Sequence, residues 1–323
     1  MSDSSRLVDS ARNVVRTCAR VRVAEQVCIV ADTKTLPIAQ AILEAAREAG
    51  AEPVLVCMTP RRAHGNEPPP IVAGAMRAAN VIIQPVTYAI THTDATQQAL
   101  RQGARVLVLR GITEEIMTGP AMLADYDRIE AVTTTVARRL SEARTIRVRT
   151  PAGTDLTLSV AGRTAVALTG RVNGPGTFAA MPDGEAAIAP VEGSAEGVVV
   201  VEHTMDGIGR LDEPIRLAVR AGRVVRIDGG TGAAQLKQLI AAADEGATNV
   251  AEFAIGTNDR ARLIGSMTED KKSRGSVHVA IGDNHVIGGT VTSELHLDGL
   301  LLRPTVEVDG EVLVRDGMLL VGE

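Results

Sequence analysis

Five residues with metal-binding side chains lie in the second half of the sequence, each in an apolar run beside a turn. The closest pair is His296 and Asp298, within Leu295-His296-Leu297-Asp298-Gly299. Because side chains alternate along an extended strand, this spacing predicts that both polar groups point to one face. An imidazole beside a carboxylate is a ligand pair suited to a divalent metal ion. The Asp298-Gly299 step also predicts a turn, which places the pair at a strand end.

The other three candidate ligands are Glu185, Glu252 and His278. Glu185 follows the turn sequence 181–184. Glu252 lies within the run 251–258, before the turn at Gly256, and His278 lies in the apolar run 277–282. A lone acid in an apolar strand is unfavourable unless it is paired or bound to a metal. Such a set of carboxylates and imidazoles can hold two divalent ions about 3.5–4 Å apart, with one carboxylate as the bridge. The residues therefore predict a two-metal centre that activates water and stabilises the oxyanion of an amide or ester.

The composition limits the classes of partner. Aromatic residues make up 1% of the 323 residues and the net charge is −5, so neither base stacking nor attraction to phosphates favours nucleic acid. The N-terminal residues lack an apolar signal-peptide core, and no run reaches the length of a membrane span. We therefore predict a cytoplasmic protein with no membrane partner. Its expected substrate is a small molecule or a short peptide.

The order of apolar and helical segments predicts an α/β fold. Up to residue 145, helical segments alternate with the apolar runs VCIVAD, PVLVCM, NVIIQP and RVLVLR, which is typical of a parallel sheet covered by helices. From residue 146 onwards, short alternating strands are separated by glycine-rich turns. The predicted domains are 1–145, an α/β domain with a parallel sheet, and 146–323, a β-rich α+β domain that binds metal and carries catalysis.

Two further segments near the candidate ligands have a predicted role. Residues 269–274 form a charge run directly before His278, which predicts an exposed loop or a lid. Asp283 and Asn284 are the expected partners that orient a metal ligand.

Four motifs together resemble the thermophilic aminopeptidase family, the two-metal metallopeptidases of the aminopeptidase T and S type. They are MPDGE at 181–185, AEFAIGTN at 251–258, HVAIG at 278–282 and the H-x-D-G-x-x-x-x-P-T run at 296–305. The resemblance implies an enzyme that cleaves an amide or peptide bond, and a homodimer or a higher even-numbered homo-oligomer. It also implies two Zn, Co or Mn ions bound by Glu185, Glu252, His278, His296 and Asp298.

The sequence departs from that family at one catalytic position. Where the family has a Tyr seven residues after the first ligand His, this chain has His285. His285 would act as a hydrogen-bond donor or as a general acid near neutral pH. Glu185 and His285 are therefore the candidate catalytic residues, and Glu185 is also counted among the ligands.

The same superfamily contains a second activity, that of 2,5-dihydroxypyridine dioxygenase. The metal site of that branch resembles the two-histidine, one-carboxylate iron type. Its ligands are a His where this chain has Glu252, together with the H-x-D pair. Non-ligating residues stand there at the positions of Glu185 and His278. Because this sequence keeps all five hydrolase ligands, an aminopeptidase-like amide hydrolase is the main prediction. A mononuclear Fe(II) dioxygenase that cleaves the ring of a dihydroxypyridine-type substrate is the alternative.

Overall fold

The computed structural model describes residues 3–321, which form two compact units. The first unit contains residues 3–127 and 169–183, and the second contains residues 128–168 and 184–321. The predicted domain ranges, 1–145 and 146–323, stay a prediction. Among residues 3–321, no helix combines the length and the apolar character needed to cross a bilayer.

Residues 3–321 form eight α-helices and twenty strands. The helices are α1 (Asp3–Arg12), α2 (Leu36–Glu48), α3 (Pro70–Arg77), α4 (Asp94–Arg101), α5 (Glu114–Met117), α6 (Tyr126–Glu142), α7 (Thr231–Ala241) and α8 (Met267–Asp270). A π-helical segment at Asn13–Cys18 follows α1, and 3-10 turns lie at Pro120–Leu123, Glu245–Thr248 and His285–Ile287. The strands are β1 (Gln26–Asp32), β2 (Glu52–Met58), β3 (Val81–Val86), β4 (Arg105–Arg110), β5 (Thr145–Arg149), β6 (Asp155–Ser159), β7 (Val166–Leu168), β8 (Phe178–Ala180), β9 (Glu185–Ile188), β10 (Glu196–Val201), β11 (Thr204–Met205), β12 (Gly209–Arg210), β13 (Ile215–Arg220), β14 (Arg223–Asp228), β15 (Val250–Gly256), β16 (Val277–Gly282), β17 (His296–Leu301), β18 (Thr305–Val308), β19 (Glu311–Arg315) and β20 (Met318–Leu319).

The first unit is built around a parallel five-stranded sheet in the order β2-β1-β3-β4-β8. Its interior strands β1, β3 and β4 are buried over nearly their whole length, which explains their continuous apolar runs. The parallel sheet expected from these runs is confirmed. The sequence does not predict β8, because a strand of three residues is too short to show a periodicity.

The second unit contains two antiparallel sheets. One has eight strands in the order β14-β13-β10-β6-β5-β18-β19-β20, and the other has seven in the order β12-β11-β17-β16-β15-β9-β7. Side chains of both sheets, α6 and α7 share one apolar core, which includes Val148, Leu217, Val279, Leu140 and Leu236. The predicted fold class, an α/β chain with a β-rich second part, is confirmed.

Candidate metal centre

The seven-stranded sheet brings the predicted ligands to one of its faces. In the pairing of β15 with β16, Glu252 lies opposite Ala280 and Ala254 lies opposite His278. In the pairing of β16 with β17, Asp298 lies opposite the same Ala280. Residues that are paired, or two positions apart, point to the same side of a sheet. The registers therefore place these three polar side chains side by side.

The two remaining ligands follow from the same registers. His296 lies two residues before Asp298 in β17, and Glu185 at the start of β9 lies opposite Gly256 of β15. The positions between them on this face include Ala254, Gly256 and Ala280, whose small size leaves space above the sheet. The alternate residues of the same strands belong to the apolar core: Phe253, Ile255, Val277, Val279, Ile281 and Leu297.

Glu252 lies at the centre of the five candidate ligands, which are called the ligand group: Glu185, Glu252, His278, His296 and Asp298. Its Oε1 lies 3.0 Å from His278 Nε2 and its Oε2 lies 3.3 Å from His296 Nε2. Asp298 Oδ1 lies 3.3 Å from His296 Nε2 and 3.8 Å from His278 Nε2. Two ligand sets share Glu252, namely Glu252–His296–Asp298 and Glu185–Glu252–His278, each with its ligand atoms within 4.8 Å of one another. Ligand atoms at right angles around a common ion, each about 2.1 Å from it, lie about 3 Å apart, so these separations suit a shared ion.

The ligand group is buried around Glu185 and reached by solvent at His296. The side chains of Glu185 and Asp298 are 1% exposed and that of His278 is 0% exposed, whereas that of His296 is 33% exposed. Among residues 3–321, three buried ligand atoms have no hydrogen-bond partner: Glu185 Oε2, His278 Nδ1 and Asp298 Oδ1. Buried polar atoms need a partner, and a metal ion is one that carboxylates and imidazoles can share.

The electrostatics of the group favour a cation. Burial alone would raise the pKa of Glu252, but hydrogen bonds with His278 and His296 outweigh burial and hold this pKa well below its ordinary value. Burial would lower the pKa of His296, but the nearby carboxylates of Asp298 and Glu252 outweigh it and raise this pKa well above its ordinary value. The carboxylates therefore attract positive charge to the imidazoles, and a metal ion would displace protons from the same place.

The backbone of Asp283 fixes the orientation of His296. His296 Nδ1 donates a hydrogen bond of 2.8 Å to the carbonyl oxygen of Asp283. A carbonyl oxygen only accepts, so Nδ1 carries a proton, and Nε2, which faces Glu252 and Asp298, is the nitrogen that can bind a metal ion once the ion displaces its proton. An imidazole held in this way is typical of a metal ligand. The structure thus gives Asp283 the orienting role expected from the sequence, through its backbone rather than its side chain.

Two lysines that the sequence analysis did not select reach into the ligand group. Lys272 Nζ lies 2.8 Å from Glu185 Oε1. Lys271 Nζ lies 2.7 Å from Asp298 Oδ2 and 3.6 Å from Glu185 Oε1. Their sequence position gives no sign of this role, because they stand six and seven residues before His278 in a charge run that is ordinarily solvated.

The predicted exposed loop at residues 269–274 is wrong, because its first residues are buried. Glu269 and Asp270 are 0% exposed and Lys272 is 5% exposed. The segment can lie this close to β15 because residue 256 is glycine: a Cβ added at Gly256 would lie 2.2 Å from the carbonyl oxygen of Ser273.

His285 lies outside the ligand group. Its side chain is 55% exposed, and its Nδ1 lies 2.7 Å from Asp283 Oδ2. Within the described part of the chain, His285 makes no hydrogen bond or ion pair with the five candidate ligands. Asp283 links the two regions, because its carboxylate holds His285 while its carbonyl holds His296.

Comparison with known proteins gives the family. The family model of 2,5-dihydroxypyridine 5,6-dioxygenase (NicX) matches residues 6–321. A relative named 2,5-dihydroxypyridine 5,6-dioxygenase, from Pseudomonas putida, is 24% identical over 267 residues, which are 77% of this chain and 73% of that protein.

Two solved structures share the fold. The structure of 2,5-dihydroxypyridine dioxygenase from Pseudomonas putida KT2440 has a TM-score of 0.83 at 23% identity and covers 99% of this chain and 98% of its own. Wild-type AmpT from Thermus thermophilus has a TM-score of 0.75 at 18% identity and covers 99% of this chain and 100% of its own. At such identities the similarity shows the fold alone, so the resemblance to aminopeptidases holds only for the fold.

These findings correct the main functional prediction. The aminopeptidase-like amide hydrolase, a metalloprotease in kind, is wrong, because the family model and the relative from Pseudomonas putida are both those of a dioxygenase. The five candidate ligands were the basis of the hydrolase prediction, but they indicate only a metal centre. The metal-binding residues alone do not distinguish hydrolysis from oxygenation. What holds of the prediction is that the chain is an enzyme. With a match over residues 6–321 of 323, the chain belongs to the 2,5-dihydroxypyridine 5,6-dioxygenase family.

Proposed function

We propose that this protein is a dioxygenase that opens a dihydroxylated pyridine ring with molecular oxygen, using one ferrous ion. The observation that carries the proposal is the convergence of Glu252, His296 and Asp298 on the solvent-reached side of the ligand group. A site that is open on one side leaves room for a ring beside the ion. Family membership supports the substrate class, since the family and the relative are named for 2,5-dihydroxypyridine.

The donor atoms support iron as the metal. A set of two imidazoles and one carboxylate that leaves coordination positions open is typical of non-haem Fe(II) oxygenases. Iron, when bound, supplies the redox chemistry that lets molecular oxygen react with a spin-paired ring. This chain offers two carboxylates and one imidazole in the set, and a second imidazole, His278, lies 3.0 Å from Glu252. The donors therefore fit one iron ion, in place of the two Zn, Co or Mn ions expected from the sequence.

We propose that His285, which is oriented by Asp283, accepts a proton from the substrate. A ring hydroxyl is a better oxygen donor to a cation after it loses its proton. In the neutral imidazole of His285, Nδ1–H donates to the Asp283 carboxylate, which leaves Nε2 as the acceptor. The side chain is 55% exposed, so a ligand can reach it from solvent. We assign the proton acceptor to His285 for this reason, and the transferred proton then rests on Nε2.

Oxygen uptake tests the proposed activity. Protein reconstituted anaerobically with Fe(II) should consume one O2 for each 2,5-dihydroxypyridine added. Mass spectrometry after reaction with 18O2 should find both labelled atoms in the ring-opened product. The matched control is Asp298→Asn, which keeps the shape of a proposed ligand and removes its charge. Iron-loaded wild type that leaves the ring intact and consumes no oxygen would contradict the proposal.

We also propose, from the sequence resemblance, a homodimer or a higher even-numbered assembly. Light scattering at micromolar concentration tests it, and a monomer would contradict it.

A further inference from the structure

Lys271 and Lys272 place two ammonium groups against carboxylates of the ligand group. Lys272 Nζ lies 2.8 Å from Glu185 Oε1, and Lys271 Nζ lies between Asp298 Oδ2 at 2.7 Å and Glu185 Oε1 at 3.6 Å. The two lysine side chains are only 11% and 7% exposed. Glu185 and Asp298 therefore each have one oxygen on a lysine and the other turned toward an imidazole.

The second ligand set is complete in its donor atoms. Glu185, Glu252 and His278 each offer one ligand atom within 4.8 Å of the others. Glu185 Oε2 and His278 Nδ1 lie 3.9 Å apart, and neither has a hydrogen-bond partner among residues 3–321. These atoms can hold an ion wherever the surrounding charge allows one.

The charge of the buried group decides how many ions it takes. Glu185, Glu252 and Asp298 carry three negative charges against two ammonium groups, which leaves one net negative charge when the imidazoles are neutral. One divalent ion brings the group to one net positive charge, and two ions would bring it to three. Such an excess is strongly unfavourable in a buried site, because low-dielectric surroundings screen it poorly.

We infer that Lys271 and Lys272 take the place of a second metal ion, so that the protein binds one ion and carries a latent second site at Glu185, Glu252 and His278. This inference rests on the single-ion centre of the proposed function. Both lysines are positioning residues: they hold one oxygen of each carboxylate and exclude a second cation by their charge.

The segment that carries the lysines is anchored on both sides. Asp270 is 0% exposed and accepts the backbone N–H of Ile264 at 2.7 Å. The backbone N–H of Asn258 donates to the carbonyl oxygen of Lys272 at 2.9 Å. These bonds keep the ammonium groups in the site, so an incoming ion cannot easily displace them.

Titration of metal-free protein with Co(II) counts the sites without relying on activity. The variant is K271M/K272M, because methionine keeps much of the side-chain length and removes the charge. The control is K237M, which changes an exposed lysine of α7. Elemental analysis and cobalt absorption should find one Co(II) per chain in wild type and in K237M, and two in K271M/K272M. The first ion should bind at least about tenfold more tightly in K271M/K272M, because two nearby positive charges are gone.

A charge-retaining variant separates charge from packing. K271R/K272R should stay at one Co(II) per chain. Two ions in wild type, or one ion in folded K271M/K272M, would overturn the inference. If K271M/K272M does not fold, K271M and K272M take its place, and a count of one ion in both would overturn the inference. One ion in wild type without oxygen uptake contradicts the proposed dioxygenase activity alone, whereas oxygen uptake with two ions contradicts this inference and its single-ion centre but leaves the dioxygenase activity standing.

Discussion

Buried acids in the two units differ in what surrounds them. In the first unit, Asp32 at the end of β1 is 1% exposed, and both of its oxygens accept hydrogen bonds. The donors are the N–H of Thr87 at 2.7 Å, the hydroxyl of Thr87 at 3.1 Å and the N–H of Lys34 at 3.0 Å. In the second unit, Glu252 is 5% exposed and its oxygens face His278 and His296.

The partners of a buried acid indicate whether its role is structural or functional. The backbone and hydroxyl donors around Asp32 are fixed parts of the chain, so they stabilise its charge without any bound ligand. The role of Asp32 is therefore to hold the loops after β1 and β3. The partners of Glu252 are the imidazoles of His278 and His296, which can release a proton and bind a metal ion in its place. Burial alone is therefore a weak sign of a functional site, and the chemistry of the partners is a stronger one.

The largest expected effect comes from Glu252→Gln, which keeps the shape of the shared ligand and removes its charge. We expect iron affinity to fall by more than about a hundredfold, since even residues that only orient a ligand cost 10–100-fold when changed. The measurement is Fe(II) binding followed by oxygen uptake. Glu311→Gln is the control, because that glutamate is 77% exposed in the same unit. Retained iron and full activity in Glu252→Gln would remove Glu252 from the centre.

The next effect concerns His285, a candidate catalytic residue outside the buried group. If it accepts the substrate proton, His285→Ala should lower turnover by about a hundredfold or more, which is typical of a lost general base. Iron content should not change, since His285 makes no hydrogen bond or ion pair with the candidate ligands in the described part of the chain. Steady-state kinetics with metal analysis measures both quantities. Unchanged turnover would leave proton transfer to another group.

A smaller effect tests the other half of the comparison, in the first unit. Asp32→Asn places an amide where three donors converge, so one or more of them loses its acceptor. We expect the free energy of unfolding to fall by about 2 kcal/mol, the scale of a buried unsatisfied donor. Urea denaturation measures this loss, and the iron content of the folded variant should equal that of wild type. Loss of iron without loss of stability would contradict the structural role of Asp32.

Strand alternation explains why part of the site could be predicted from the sequence. His296 and Asp298 occupy one strand two residues apart, so the period of two was enough to place them on one face. The apolar runs of β1, β3 and β4 predicted a parallel sheet for the same local reason.

Lys271 and Lys272 could not be predicted, because their burial depends on distant contacts. A charge run is ordinarily solvated, and nothing within residues 269–274 indicates otherwise. The segment is buried because Gly256 allows a close approach and because Asp270 accepts the N–H of Ile264. The reaction could not be predicted either, since the same donor types serve hydrolysis and oxygenation.

The smallest expected effect concerns Glu192, an acid of the second unit. Like Asp32, Glu192 accepts hydrogen bonds from backbone and side-chain donors. Its Oε1 accepts the N–H of Thr290 at 2.8 Å and the amide of Asn284 at 3.0 Å, and Arg163 pairs with Oε2. Burial alone would raise the pKa of Glu192, but these hydrogen bonds and the charge of Arg163 outweigh it and lower the pKa to about 2.

A carboxyl whose pKa is lowered by folding stabilises the protein above its unfolded pKa and loses that contribution as the pH falls toward its folded pKa. The loss should therefore run from near pH 4.5, the ordinary value, down to about pH 2. Because solvent reaches 27% of the side chain, we expect a contribution of about 1–2 kcal/mol, allowing for screening. Urea denaturation at pH 5 and pH 3 should show a smaller acid loss in Glu192→Gln than in wild type, while all other carboxyls titrate equally in both proteins. Equal losses would mean that Glu192 does not fasten the loop that carries His285.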